Sequence, residues 1–466
     1  MGVAKFDLAV IGSGPGGYVA AVRAAQLGKN VAVVERDELG GVCLNWGCIP
    51  TKALLKSAEV YSNLLKAKEF GLSAENIAVD FPGIIKRSRQ IADRMAKGVQ
   101  FLFKKNNVTL FQGSGRLSDA GAVAVFNSSG EKIGEISARD IVIATGARPR
   151  SIPGVAIDRK KIITSREAMS LEKIPESMIV IGAGAIGVEF AHFYHTFGCK
   201  VTLVEMLPTV LPIEDNEITD VLNRAFRRAK IAVHTGSLVK KVTVTENSVK
   251  IGIEKDGSAT ELEAELALMA IGVQGNYENL GLEELGVAIE KSFIKVDEQY
   301  QTSVNHIYAI GDIIGPPLLA HVASAEAVNL AERLAGILVA PINYSAIPGC
   351  TYCNPQIASI GLTEEKARQK GYELKIGRFP FIANGKSLAL GERDGMVKLI
   401  FDAKSDVLLG AHLVHAEATE LIGELALAMS NNLKAHDVIK TVHAHPTLSE
   451  AVMEAAASAY GEAVHG

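Results

Sequence analysis

The sequence predicts an α/β protein in which two βαβ units are nested in one chain and an α+β domain closes it. Three observations predict this. Phe6 to Arg36, FDLAVIGSGPGGYVAAVRAAQLGKNVAVVER, reads as apolar strand, glycine turn, helix, apolar strand and acid. Met178 to Met206, MIVIGAGAIGVEFAHFYHTFGCKVTLVEM, repeats that order. From about Tyr344 the pattern changes to strand-like stretches, GMVKLIFD and VLLGAHLV, followed by helical ones, ATELIGELALAMSNN and SEAVMEAAASAY. The first two stretches each have the form of a Rossmann-like dinucleotide-binding unit.

Each part of the repeat has a physical task. Gly12 and Gly182 permit the tight turn, Gly14 and Gly184 let backbone N–H groups approach a pyrophosphate, and Gly17 and Gly187 let the helix pack close to the strand. The helix start then favours the phosphate charge. Glu35 and Glu205 both stand 23 residues after the first glycine of their turn and can accept hydrogen bonds from a ribose diol. At the second site Glu205 would repel a 2′-phosphate and Met206 offers no cation, which favours NAD over NADP.

The repeat extends further along the chain. ARDIVIATGARP (Ala138 to Pro149) and ELALMAIGVQGN (Glu265 to Asn276) each read as a strand ending in a glycine turn, and YQTSVNHIYAIGDI (Tyr300 to Ile313) as a strand delivering Asp312 to a loop. These features divide the chain at 1–148, 149–276, 277–343 and 344–466.

GGVCLNWGCIPTK, Gly40 to Lys52, carries Cys43, Cys48 and the chain's only tryptophan, Trp46. Five cysteines among 466 residues are too few for a disulfide scaffold. Zinc needs about four ligands, and no Cys or His stands within a few residues of this pair to complete a set. No metal is therefore expected, and redox exchange remains. A five-residue step on a regular helix leaves two side chains about 140° apart. Gly47 and Pro50 allow the first turn to depart from regularity so that the sulfurs can meet. A helix start also lowers a thiol pKa.

Balanced charge, with a formal net of −4, favours neither nucleic acid nor a membrane surface as partner, and no apolar run is long enough to span a bilayer. The opening MGVAKFDLAVIGSG runs into a strand without the features of a secretory leader, so a cytoplasmic protein is expected.

GSGPGGYVAA, GGVCLNWGCIPTK, ATGARP, GAGAIGVEF, IYAIGD and HAHPTLSE occur in the order found in the flavoprotein disulfide reductases, and the sequence resembles that family over essentially its whole length. CLNxGCIP together with HAHPTLSE points to the members that oxidise dihydrolipoamide. Glutathione and mercuric reductases more typically read CVNVGCVP, and no cysteine follows Cys353 to supply a C-terminal redox pair. The resemblance implies FAD on Gly12, Gly14, Gly17 and Glu35, with Gly115, Thr145, Asp312 and Ala320 as further contacts. Cys43 would exchange with substrate and Cys48 would face the flavin. Lys52 would lie near the flavin N5, with Glu189 as its ion-pair partner. Gly182, Ala183, Gly184, Ala185, Ile186, Gly187, Glu205, Leu238 and Gly272 would hold NAD. His445 would be the base and Glu450 the carboxylate that fixes its tautomer. An imidazole suits that task, since oxidising a dithiol requires taking up its protons near neutral pH. The C-terminal domain would form a homodimer, and a lipoylated domain of a 2-oxoacid dehydrogenase complex or of the glycine cleavage system would be the partner. The alternatives are a glutathione-reductase-like enzyme and a flavoprotein redox sensor without turnover.

Several residues stand outside that pattern. Cys350 and Cys353 in IPGCTYCNPQ lie on a stretch that reads as extended, where a three-residue step sends side chains to opposite faces, and are expected to be packing thiols. Cys199 is expected to be a buried apolar residue. His443 is expected to be a structural neighbour, and His321, which follows a family LAH pattern in LLAHVASAE, is assigned no catalytic step. Val273 and Gln274 replace the arginine usual in the family, and Trp46 either shields the flavin edge or packs.

Overall fold

The computed structural model describes residues 4–465, which divide into two compact units. The first comprises 4–54, Pro82–Arg150 and Gly272–Ile342; the second comprises Leu55–Phe81, Ser151–Ile271 and 343–465.

The first unit is built on a seven-stranded sheet. Its parallel part runs Thr109–Gln112, Val31–Glu35, Ala4–Ile11, Lys132–Ile143, with Ile307–Ala309 also parallel to Lys132–Ile143. The other half of Lys132–Ile143 continues into an antiparallel meander with Ala122–Phe126 and Ser114–Asp119. Both faces of the parallel part are covered, which is why its strands read as unbroken apolar runs. Leu8 and Val10 pack with Ala20, Ala24 and Leu330 of the helices Pro15–Gln26 and Ala320–Leu334. Ala9 and Ile11 face the other way, toward Val123, Ile141 and Ile307. After Ile143 the chain forms the short strand Ala147–Pro149, which pairs antiparallel with Val273–Gly275, Gln274 standing opposite Arg148. The ends of the two glycine-turn stretches, ATGARP and AIGVQGN, are thus zipped to one another.

The second unit contains a parallel five-stranded sheet, ordered Ala232–His234, Lys200–Val204, Ser177–Ile181, Leu266–Met269, Ile162–Ile163. Beside it lies the antiparallel sheet Leu238–Val244, Val249–Lys255, Ser258–Ala264. Val249, Ile251 and Ile253 of that sheet share one core with Ile179, Ile181 and Met269. The C-terminal part is a five-stranded antiparallel sheet, Gly349–Thr351, Gln356–Gly361, Leu408–His415, Met396–Asp402, Leu374–Pro380. Helices Ala418–Ser430, Ala435–Lys440 and Glu450–Ser458 bury Ile422, Leu425, Val438, Val452 and Ala455 against it. The α/β class with an α+β C-terminal part is the architecture expected.

One local reading needs correction. IPGCTYCNPQ is not one extended run but strand, bend and strand, so Cys350 sits in the strand Gly349–Thr351 while Cys353 lies in the bend, buried, with its Sγ 3.2 Å from Pro355 O. The loop that receives Asp312 after the strand Ile307–Ala309 takes the form of a 3-10 turn, Gly311–Ile314.

Candidate active site

The two glycine turns are built alike. Gly12 and Gly182 have φ of +99° and +104°, the left-handed region glycine enters without strain. A Cβ on Gly17 or Gly187 would fall on the carbonyl oxygen of Gly12 or Gly182, so the helices Pro15–Gln26 and Ala185–Thr196 approach their strands at a distance only glycine permits. Gly14 and Gly184, extended at the heads of those helices, have no heavy atom within 4 Å of a Cβ position, leaving the opening a pyrophosphate needs.

The acids repeat the correspondence. Glu35 and Glu205 are each 8% exposed. Oε2 of Glu35 accepts from Ser13 N at 2.8 Å and its Oε1 from Asp37 N at 2.8 Å; Oε2 of Glu205 accepts from Ala183 N and its Oε1 from Leu207 N, both at 2.8 Å. Each carboxylate is held by backbone N–H groups and retains acceptor capacity for hydroxyl groups. Ser13 adds its hydroxyl to Glu35 at 2.7 Å, a contact that Ala183 cannot make. Met206, beside the second acid, is exposed.

Gly40 and Gly41 lead from the first turn to the cysteines. Their φ values are +93° and +60°, Gly40 N donates to Ser13 O at 3.0 Å, and a Cβ on Gly41 would stand 2.7 Å from Gly14 Cα. The short helix Gly41–Trp46 therefore starts directly on the glycine turn. It ends at Gly47, φ −149° and ψ −117°, and a second helix, Cys48–Leu65, begins at the next residue. A Cβ on Gly47 would lie 2.9 Å from Val42 O and 3.2 Å from Cys43 Cα, so the break also depends on glycine. Thr51 fixes its far side, with Oγ1 2.7 Å from Gly47 O.

Across this break the two cysteine side chains are hydrogen-bond partners. That contact, then burial, then the charge of Cys48 push the Cys43 thiol well above its ordinary range, while Lys52 on the second helix opposes the shift. A helix start was expected to lower thiol pKa. For Cys43 the direction is reversed, because two sulfurs sharing a site resist losing both protons.

The other residues expected at FAD fall as follows. Gly115, in Ser114–Asp119, has its Cβ position 3.1 Å from Ile11 Cγ2 and 3.3 Å from Val34 Cγ1, at the strand ends beside the glycine turn. Thr145 turns its hydroxyl to Asn276 O at 2.9 Å. Asp312 is half-buried and burial pushes its carboxyl up, so an incoming hydroxyl has an acceptor whose desolvation is already in place. Ala320 opens the helix Ala320–Leu334. The open glycine turn, the cradled acid and the half-buried Asp312 fit FAD.

In the second unit Ala185, Ile186 and Gly187 lie in the first turn of their helix, with Ile186 exposed. Leu238 starts its strand beside Glu205, whose carbonyl accepts from Ser237 N at 2.9 Å. These residues fit NAD. Gly272 belongs to the first unit, on a left-handed turn before the strand Val273–Gly275. With its amide oxygen facing Arg148, Gln274 accepts from Arg148 Nη2 at 2.7 Å, so this departure from the family arginine is used within the ribbon. Glu189 is buried and its Oε1 accepts from Tyr352 N at 2.9 Å.

His445 is 80% exposed, with Nδ1 2.8 Å from Glu450 Oε1. Glu450 Oε2 accepts from Thr447 N at 2.8 Å, and these two contacts, Thr447 first, hold its carboxyl below the usual range. Nδ1 is thereby committed to the carboxylate, which leaves Nε2 as the available nitrogen. His443 is almost enclosed, bound to Glu424 at 2.7 Å and to Thr441 O at 2.8 Å, as a structural neighbour would be. Cys199 is buried.

Sequence reasoning missed Ser13, Gly41 and Glu326. The last is buried and accepts from Gly311 N at 2.7 Å, holding the turn that carries Asp312. The doubled glycine at Gly40 and Gly41 and a glutamate inside the apolar helix Ala320–Leu334 were the available signals.

Two phosphate-receptive turns with cradled acids, one leading straight into a contacting thiol pair, define a dinucleotide-dependent disulfide oxidoreductase. Residues 6–327 match the family described as pyridine nucleotide-disulphide oxidoreductase, and residues 347–456 match the dimerisation domain of that family. The chain belongs to the pyridine nucleotide-disulphide oxidoreductase family. It is similar to the dihydrolipoyl dehydrogenases of Zymomonas mobilis, 49% identical over 463 residues, and of Bacillus subtilis, 42% identical over 470 residues, each match covering 99% of both chains. Among solved structures, LpdA from Mycobacterium tuberculosis matches with a TM-score of 0.90 at 28% identity, covering 97% of this chain and 99% of that one. The HOCl-induced flavoprotein disulfide reductase RclA from Escherichia coli, as its Cu(II) complex, matches with a TM-score of 0.88 at 25% identity, covering 98% of this chain and 99% of that one. Among the described residues no helix is long and apolar enough to cross a membrane, and no three His, Cys, Asp or Glu side chains form a group able to hold a metal ion.

Proposed function

We infer that the chain is a homodimeric dihydrolipoyl dehydrogenase, which oxidises a protein-bound dihydrolipoyl dithiol with FAD and NAD⁺. The observation that carries this reading is the Cys43–Cys48 contact across the Gly47 break, at a helix that starts on a dinucleotide turn. In this reading 1–148 and 277–343 hold FAD, 149–276 holds NAD⁺ and 344–466 forms the dimer. Gly12, Gly14, Gly17, Glu35, Gly115, Thr145, Asp312 and Ala320 contact FAD, and the segment 182–187 with Glu205, Leu238 and Gly272 contacts NAD⁺. Lys52 serves the flavin N5 in this reading.

The residues act in a definite order. A dihydrolipoyl thiol gives its proton to Nε2 of His445, contributed by the second subunit, and its sulfur attacks Cys43. The bond from Cys43 to Cys48 breaks, and Cys48 leaves as thiolate. The second lipoyl thiol then displaces Cys43, which takes up that thiol's proton and closes the lipoyl disulfide. A thiol whose pKa is pushed up by its partner and by burial retains that proton at neutral pH. Glu450 keeps Nδ1 of His445 protonated and stabilises the imidazolium once it forms. Bound FAD supplies the two-electron relay that returns the pair to the disulfide and reduces NAD⁺. The lipoyl arm belongs to a 2-oxoacid dehydrogenase complex or to the glycine cleavage system, and the reaction takes place in the cytoplasm.

Turnover of dihydrolipoamide with NAD⁺ by the holoenzyme tests the activity, and its absence would overturn the reading. Co-expression of Cys43→Ser with His445→Ala tests the shared site. The mixed dimer contains one site with both lesions and one with neither, so it should regain turnover that each homodimer lacks. An inactive mixed dimer with full FAD content would show that Cys43 and His445 act from the same chain.

A further inference from the structure

The break at Gly47 is gripped from outside by one helix. From Phe81–Lys105, Arg89 donates through Nη1 to Asn45 O at 2.5 Å, before the break, and Arg87 donates through Nη1 to Ala53 O at 2.8 Å, after it. Asn45 lies in the last turn of the short helix, where carbonyl groups lose their intrahelical partners and a cation is favoured. The Arg89 guanidinium also lies over the Trp46 ring, 3.8 Å from its centroid, and Trp46 Nε1 donates to Glu38 Oε2 at 2.5 Å. Asn45 Nδ2 reaches back to Leu39 O at 2.8 Å and Gly41 O at 3.0 Å. Both ends of the short helix are therefore tied, and the stack of Arg89 on Trp46 sits at the end next to the break. If the break relaxed toward a regular helix, the two sulfurs would turn away from one another by about 140°.

We propose that Arg89 and Trp46 are positioning residues that set the disulfide–dithiol balance of Cys43 and Cys48 by holding the chain break at Gly47. This rests on the reading of the two cysteines as a redox couple. Loosening the grip disfavours the bonded sulfurs and leaves the separated thiols less affected, so the reduced form gains.

The test equilibrates holoenzyme with defined ratios of reduced and oxidised dithiothreitol and counts Cys43 and Cys48 thiols by alkylation and mass spectrometry. Arg89→Met should raise the dithiol-to-disulfide ratio about tenfold, which for a two-electron couple is about 30 mV. Arg89→Lys, which keeps a donor for Asn45 O but no planar face, should recover part of that shift. Trp46→Phe, which keeps a ring under Arg89 but loses the bond to Glu38, should shift the ratio about threefold even if Arg89→Met fails to bind FAD. Ratios within 1.5-fold of wild type for Trp46→Phe and for any FAD-loaded Arg89 variant would overturn the proposal. Wild-type turnover of dihydrolipoamide is measured separately, so the proposal can fail while the function stands. A wild-type protein in which Cys43 and Cys48 form no disulfide would instead refute the functional reading.

Discussion

Replacing Glu450 with glutamine should slow dithiol oxidation without disturbing either nucleotide site. The carboxylate serves two partners at once, Nδ1 of His445 and N of Thr447, each at 2.8 Å. A glutamine amide can accept at only one end. If its oxygen faces Thr447, its NH₂ faces Nδ1 and forces the imidazole proton onto Nε2, where a base needs a lone pair. If its oxygen faces Nδ1, two donors confront each other at Thr447. A hydrogen bond to a charged group contributes about 1.5–3 kcal/mol. The 80% exposure of His445 in the single chain puts the effect in the lower part of that range, about 1.5–2 kcal/mol. This corresponds to a fall of about 10- to 30-fold in kcat. Steady-state oxidation of dihydrolipoamide is the assay, with FAD absorbance and KM for NAD⁺ as controls that should not move. A kcat within twofold of wild type would show that Glu450 does not orient the base.

Lys398 is 2% exposed and lies 2.9 Å from Asp215, 2.7 Å from Glu217 and 2.8 Å from Glu364, so Lys398→Met strands Asp215 without its cation. Removing one member of such a buried group costs about 3–5 kcal/mol; because Arg378 still serves Glu217 and Glu364, about 3 kcal/mol is expected, and a urea-unfolding loss below about 1 kcal/mol would contradict it. The hydrogen bonds from Arg378 and then the one from Lys398, acting against burial, hold Glu217 down to about 2, below its unfolded value of about 4.3. The unfolded chain therefore binds more protons in that window, and stability should decline as pH falls from about 4.5 toward 2, less steeply in Lys398→Met; a parallel decline would refute the assignment. Gly187→Ala should raise KM for NAD⁺ at least tenfold and leave FAD content unchanged, whereas Gly17→Ala should lose FAD. If Glu205 accepts from the ribose diol as proposed, kcat/KM should favour NAD⁺ over NADP⁺ at least a hundredfold, and equal values would remove Glu205 from that role.

What the sequence made legible was whatever a few neighbouring residues decide. The glycine turns and the acids after them are set by strand, turn and helix within one βαβ unit, and Glu205 repeats the cradle of Glu35 nearly atom for atom. The Gly47 break was readable because glycine and proline have conformational meanings independent of context. The reversed shift at Cys43 was not, since it arises from a sulfur on another helix and from burial. The grip of Arg89 on Asn45 joins residues 44 positions apart through a backbone oxygen, and any long donor at that point would look the same in the sequence. The bend at Cys353 escaped because a short apolar stretch does not announce which of its residues will pair.

The ribbon of Ala147–Pro149 with Val273–Gly275 makes the second nucleotide segment a topological insert. Arg150 N donates to Gly272 O at 2.9 Å, so the chain departs into 151–271 and comes back at hydrogen-bonded neighbours, and the first sheet then receives its last strand, Ile307–Ala309. Entry and exit stand as close as the two sides of a hairpin. Replacing 151–271 by a tight turn would keep the strand order of the sheet that carries the first glycine turn, but it would strip Lys398 of Asp215 and Glu217, and Tyr352 N of Glu189, so the insert is joined to one unit and packed within the other.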